Sequence, residues 1–197
     1  MKKFTTNLLN TKALSFYFLL FTFYFSFLGC SAKTPEAPAD TLQASTASAV
    51  TDSIPFPVYM SYGEFEPLLK IDNDTTYVVN FWATWCKPCV EELPFFEKLI
   101  AETAGSNGAG QPIKVLLVSM DFPKDYQRKL TPFVVERNLQ HNVVALGDLD
   151  YDTWISKVSQ AWDGAIPFTL VYKGTEKAEK LSELANYEEL KALVDRL

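Results

Sequence analysis

Cys86 and Cys89 stand two residues apart in the stretch NFWATWCKPC, residues 80–89. Two thiols at this spacing can hold a metal, close an inert staple, or exchange electrons with another disulfide. A metal site takes four protein ligands, or three and a water. The sole histidine, His141, lies far off in sequence, and no second Cys-x-x-Cys occurs, so no metal is expected. A bridge across so short a loop constrains the unfolded chain little, which makes it a poor staple. Electron exchange is the use that suits the pair best.

That chemistry depends on where the pair sits. Residues 75–83, TTYVVNFWA, are β-branched and aromatic without alternation, the pattern of a strand buried on both faces. From Cys86 the period becomes helical, with Val90, Leu93, Phe96 or Glu97, and Ile100 expected on one face. Pro88 falls in the first turn, where its missing N–H costs nothing, and Pro94 is expected to kink the helix. Cys86 then lies at a helix N-terminus, where unpaired N–H groups and the helix dipole favour a thiolate. Cys89, one turn on, is close enough to close a disulfide. Cys86 can attack a substrate disulfide, and Cys89 can resolve the mixed disulfide. Lys87 is expected to be a solvated side chain.

The remaining elements follow from the same periodicities. Residues 60–70 read as a short helix or turn. Residues 113–121 and 142–148 read as buried strands, and 125–138 and 151–162 as helices, with Pro132 a kink or a starting point in the first. Residues 167–174 and 176–184 read as strands joined at Gly174. Residues 186–197 read as a helix capped by Asn186, with Leu190, Leu193 and Leu197 turned inward. The order β-α-β-α-β-α-β-β-α gives a parallel portion and an antiparallel late hairpin.

The segment FWATWCKPC resembles the active-site segment of the thioredoxin superfamily. The run Cys86, Cys89, Glu92 and Pro94, together with Asn80, resembles the TlpA/ResA-like membrane-tethered thiol–disulfide reductases. The resemblance covers residues 56–197. It implies an α/β, thioredoxin-like three-layer fold with a central mixed sheet flanked by helices. It also implies a cis proline facing the cysteines, and in GAIPFTLVY this is the Ile166–Pro167 bond. Ile166 and Pro167 would then meet substrate, together with Trp85 and Pro88. Where the thioredoxin pattern often has a buried Asp, this chain has Asn80, which cannot accept a proton. The resemblance therefore gives the proton-transfer role to Glu92, three residues past Cys89, while Glu91 is expected at the surface. The implied catalytic set is Cys86, Cys89 and Glu92. No cofactor beyond the redox-active Cys86–Cys89 disulfide is implied.

The N-terminal third has a different composition. Lys2, Lys3 and Lys12 precede a 16-residue apolar run, 13–28, that ends before Gly29 and Cys30. A basic start, an apolar stretch and a small residue before the break mark a secretory signal. The run is short for a membrane span, which takes about 20 residues. Cys30 after the break resembles the lipobox of bacterial lipoproteins, which implies cleavage before Cys30 and its lipidation. Phe27 stands where that motif usually has Leu, so cleavage without lipidation and an uncleaved anchor are the alternatives. Residues 31–55 are rich in Ala, Ser, Thr and Pro and read as a flexible tether. The expected organisation is a lipoprotein-type signal at 1–29, a tether at 30–55 and a thioredoxin-like domain at 56–197.

The whole chain carries a formal charge of −6. Removing residues 1–29 takes away three lysines and no acids, leaving −9. This excess argues against nucleic acid, whose phosphates need clustered Lys and Arg. The expected protein is an envelope oxidoreductase facing the periplasm, anchored by lipid at Cys30. Its expected partners are disulfide-bonded proteins, apocytochrome c among the candidates, and a membrane thiol donor. A disulfide oxidase or isomerase, and a binding module without a working dithiol, are the competing readings.

Overall fold

The computed structural model describes residues 53–104 and 112–197. The expected signal, Cys30, and the tether up to residue 52 lie outside the described residues. Among those described, no helix is long and apolar enough to cross a membrane.

Six strands form one mixed sheet. They are β1 (Val58–Tyr59), β2 (Thr76–Trp82), β3 (Ile113–Ser119), β4 (Val143–Leu146), β5 (Phe168–Lys173) and β6 (Glu176–Lys180), in the order β1-β4-β3-β2-β5-β6. The first four run parallel, and β5 and β6 are antiparallel to their neighbours. Every residue of β2 is buried, as its unbroken apolar run requires of a strand covered on both faces. The helices are α1 (Tyr62–Phe65), α2 (Lys87–Ala104), α3 (Thr131–Glu136), α4 (Tyr151–Val158) and α5 (Tyr187–Val194).

Alternation along β2 sorts the helices into two layers. Asn80 points toward α2, where it meets Glu92, and Trp82, on the same face, packs its ring against Phe133 of α3. Arg137 pairs with Glu97, and Tyr187 bonds to Glu102, which puts α3 and α5 with α2. Phe81 points the other way, against Phe65, Trp162 and Phe168. Trp154 stacks on Tyr62 and meets Trp162, which places α1 and α4 in this second, aromatic layer. The architecture is thus the three-layer arrangement implied by the resemblance.

Several boundaries differ from expectation, each for a physical reason. β1 was not anticipated, because two residues carry no periodicity. It is held as an edge strand by Ala145 N–H donating to Pro57 O and Gly147 N–H donating to Tyr59 O. The expected helix at 125–138 is broken up. A 3-10 turn at Pro123–Asp125 leads into a π turn at Tyr126–Leu130, and only then does α3 begin. Pro132 has no N–H to continue an i→i−4 ladder, and Thr131 N–H reaches back five residues to Tyr126 O instead. On α2 the buried seam is Cys89, Leu93, Phe96 and Leu99, while Val90 and Ile100 are only partly covered. The seam starts one residue earlier than expected because Cys89 itself faces inward. α2 continues through Pro94, whose side chain lies on the exposed face. The strand expected over 176–184 stops at Lys180, freeing the following residues to loop back over α2. Asn186 caps α5, accepting from Glu189 N–H. Ile54, ahead of the expected domain start at 56, packs partly buried against the core.

Candidate active site

Cys86 follows the C-terminal end of β2, at the entry to α2. Its N–H donates to Ala83 O, and Cys86 and Cys89 are joined as a disulfide with Cα atoms 5.3 Å apart. The two sulfurs differ in access. Cys86 is 7% exposed and Cys89 is fully buried, so an incoming sulfur meets Cys86. The Cys89 N–H points at Cys86 Sγ at 3.4 Å, a donor that favours negative charge on that sulfur once the bridge opens.

Across from the pair, the Ile166–Pro167 bond is cis. Ile166 O lies 3.7 Å from Cys86 Sγ. A bridged sulfur has no proton to donate, so this is a contact here, and a place where a reduced thiol could donate. The loop before Pro167 is fixed from several sides. The Trp162 indole donates to Ala165 O at 2.7 Å, and Ala165 N–H donates to Asp163 Oδ1 at 3.0 Å. Gly164 has φ +92°, and a Cβ there would come within 2.5 Å of Ile155 Cδ1. Both the backbone conformation and the close approach to α4 therefore call for glycine.

Three residues past Cys89 on α2 lies a buried polar group. Glu92 is 2% exposed. Its Oε1 accepts from Asn80 Nδ2 at 2.9 Å, and its Oε2 accepts from Leu184 N–H at 2.8 Å. Burial pushes its carboxyl up to about 7 from 4.5, against the lowering effect of those two hydrogen bonds, with Glu183 and Glu189 raising it further. Asn80 Nδ2 also donates to Thr169 Oγ1, while Asn80 Oδ1 has no hydrogen-bond partner among the described residues.

A second buried carboxylate was missed in the sequence. Asp121, just past β3, accepts from Thr84 N–H and Ser119 Oγ through Oδ2 and from Thr84 Oγ1 through Oδ1. It clamps the loop that carries Trp85 into Cys86. The available signal was an acid placed directly after a buried strand, SMD at 119–121, beside a loop rich in polar donors. Thr169 and the Leu184 N–H also went unnoticed, because both arrive from the far C-terminal part of the chain.

The other expected residues fall as follows. Trp85 is 58% exposed beside Cys86, and its ring stacks on Phe122 at 6.5 Å. Pro88 is exposed in the first turn of α2. Lys87 points to solvent and pairs with Glu91 at 3.6 Å, and His141 is exposed. Among the described residues, no group of three or more His, Cys, Asp or Glu side chains is placed to hold a metal.

A strand-to-helix cysteine pair facing a cis proline, on a mixed sheet between two helical layers, defines a thioredoxin-like fold. Residues 57–131, which carry the cysteines, match the family model described as Thioredoxin. Among curated proteins, the chain is 63% identical over 27 residues to thioredoxin-like protein YneN of Bacillus subtilis, covering 14% of this chain and 16% of YneN. It is 39% identical over 44 residues to thiol-disulfide oxidoreductase ResA of Oceanobacillus iheyensis, covering 22% and 20%. The match to thioredoxin of Malassezia sympodialis is 42% over 48 residues, covering 24% and 44%. The chain thus spans less than half the length of each of these relatives. Among solved structures, StoA from Bacillus subtilis superposes with a TM-score of 0.46 at 19% identity, over 62% of this chain and 84% of that one. A secreted thiol-disulfide isomerase from Corynebacterium glutamicum gives 0.48 at 17%, over 62% and 70%.

Proposed function

We propose that this chain is a thiol–disulfide oxidoreductase that cycles Cys86 and Cys89 between disulfide and dithiol, acting as a reductase of protein disulfides in the cell envelope. The observation that carries the reading is the asymmetry of the pair. One sulfur is reachable at a helix start and the other is enclosed behind it. In the reduced state the Cys86 thiolate attacks a substrate disulfide, forms a mixed disulfide and expels one substrate thiolate. Cys89 then attacks Cys86 Sγ, expels the second substrate thiolate and closes the bridge. Two electrons pass to the substrate, and a membrane thiol donor restores the dithiol. Glu92, with its carboxyl near neutrality, takes the proton that Cys89 must give up. Trp85, Pro88, Ile166 and Pro167 form the surface on which the substrate lies, with the Ile166 backbone beside Cys86.

In this reading residues 1–29 are a lipoprotein-type signal, Cys30 carries lipid, 30–55 is the tether and 56–197 works on the periplasmic side. Apocytochrome c is one candidate substrate. The reductase direction and the tether rest on the TlpA/ResA resemblance. Insulin reduction tests the core of the proposal, with Cys86→Ser and Cys89→Ser both expected to be inactive. Unchanged activity in both would sink it. The Cys86–Cys89 potential tests the direction, with about −270 mV expected and about −120 mV marking an oxidant. A Cys89→Ser variant should hold its substrate as a mixed disulfide.

A further inference from the structure

A groove of about 310 Å³ opens beside Cys86. Trp85 and Phe122, whose rings stack, line it together with Ile155, Ile166, Asp152 and Asp163. The groove is continuous with the reactive sulfur, since Ile166 supplies both its wall and the carbonyl 3.7 Å from Cys86 Sγ. A substrate whose cysteine is attacked there must place a neighbouring side chain in this space.

The lining selects for charge. Trp85 leaves 58% of its surface open. An indole face attracts a cation, more strongly where water is partly excluded. Lys124 lies over the Phe122 ring at 5.5 Å, so of the two rings it is Trp85 that is open to a substrate cation. Asp163 spends Oδ1 on Ala165 N–H and keeps Oδ2 as an acceptor. Lys87 points to solvent and is not among the lining residues. The chain as a whole is acidic, at −6, which adds long-range attraction for a basic partner. Apolar walls, an open indole and two carboxylates fit the alkyl stem and charged head of Arg or Lys.

We propose that this groove is a specificity subsite that prefers substrates with a basic residue next to the attacked cysteine, resting on the dithiol reading above. The stem packs between Trp85 and Ile166, the head meets Asp152 and Asp163, and the cysteine sulfur comes to Cys86. The exchange itself is unchanged. The Cys86–peptide disulfide forms as the peptide disulfide breaks, and the electrons come from the reduced pair.

The test uses the full chain, reduced with dithiothreitol and freed of reductant, mixed in single turnover with disulfide-linked peptide dimers. The peptides differ only in the residue flanking cysteine, which is Arg, Ala or Glu. At low salt the Arg peptide should react about tenfold faster than the Glu peptide, and about 0.5 M salt should shrink the gap. Asp152→Asn and Asp163→Asn should each narrow the Arg–Glu gap severalfold. Asn at 163 keeps an acceptor for Ala165 N–H, and unchanged circular dichroism confirms the fold. Equal rates for Arg and Glu peptides, a faster Glu peptide, or a gap unaffected by both variants would overturn the subsite while leaving the dithiol reading intact. No reaction with any peptide, Ala included, would overturn the dithiol reading and the subsite with it.

Discussion

Asn80 and Glu92, twelve residues apart in sequence, meet inside the fold with Asn80 Nδ2 donating to Glu92 Oε1 at 2.9 Å. The pair joins the central strand to the cysteine-bearing helix. A neutral amide on the strand thus holds an acid on the helix. The carboxamide can serve both protonation states of its partner. Its N–H faces a carboxylate, and turning it over would present the unpaired Oδ1 to a carboxylic acid.

Glu92 sets a pH dependence whose sign can be worked out. In the folded protein its proton is held up to about 7, whereas the unfolded chain gives it up near 4.5. Between these values the folded state binds more protons, so stability falls as pH rises. The contribution is fully present below about 4.5 and lost above about 7, on the order of 3 kcal/mol in all. Glu92→Gln should flatten this part of the curve. Denaturant unfolding of the oxidised protein at pH 5, 6 and 8 measures it. Equal slopes for the two proteins would contradict the assignment.

Asn80→Asp would put a second carboxyl within hydrogen-bond distance of Glu92. Two such groups titrate as a pair and resist double ionisation. At pH 5 the pair can share a proton and the variant should be mildly affected. At pH 8 it should lose about 3–5 kcal/mol, as expected for an uncompensated buried charge. A loss independent of pH would mean the new acid escapes to solvent.

How much of this was readable from the chain depends on contact distance in sequence. The cysteine pair, the buried run of β2, and Asn186 as the cap of α5 are local patterns, and each was legible. Asn80 and Glu92 were each singled out, yet their hydrogen bond was not, because it depends on how α2 lies across β2. The Leu184 N–H that completes the Glu92 site comes from 92 positions away. The π turn before α3 was hidden for a different reason. Pro132 as a starting point was legible, since α3 begins at Thr131, but only the missing N–H, followed through its consequences, shows the widened turn before it.

Asp121 should matter to stability as well as to the placement of Trp85 and Cys86. Asp121→Ala removes the acceptor for Thr84 N–H, Thr84 Oγ1 and Ser119 Oγ. Leaving such donors unmet in a buried setting costs about 1–3 kcal/mol each, and part of that is recovered by local hydration. A net loss of about 2–4 kcal/mol is expected in denaturant unfolding. Thr84→Val in the Asp121→Ala background should cost much less than in the wild type, because the two residues share one network. Additive losses would show that Asp121 does not act through Thr84.

Gly164 offers a test of what holds the cis-proline loop in place. Ala at 164 meets two separate obstacles. One is the φ of +92°, a region that costs a residue with a Cβ about 1–2 kcal/mol. The other is the 2.5 Å approach to Ile155 Cδ1, with overpacking of this kind costing about 1–3 kcal/mol. Gly164→Ala should therefore lose about 2–4 kcal/mol. Ile155→Val deletes the one methyl that clashes and by itself should cost about 0.5–1.5 kcal/mol. In the double variant the clash is gone and the backbone cost stays, so the loss should fall short of the sum by about 1 kcal/mol or more. Simple additivity in a double-mutant cycle would mean that the loop moves away from α4 to admit the methyl. The rate of reaction with substrate disulfides should then drop in step, because Ile166 O would no longer sit beside Cys86 Sγ.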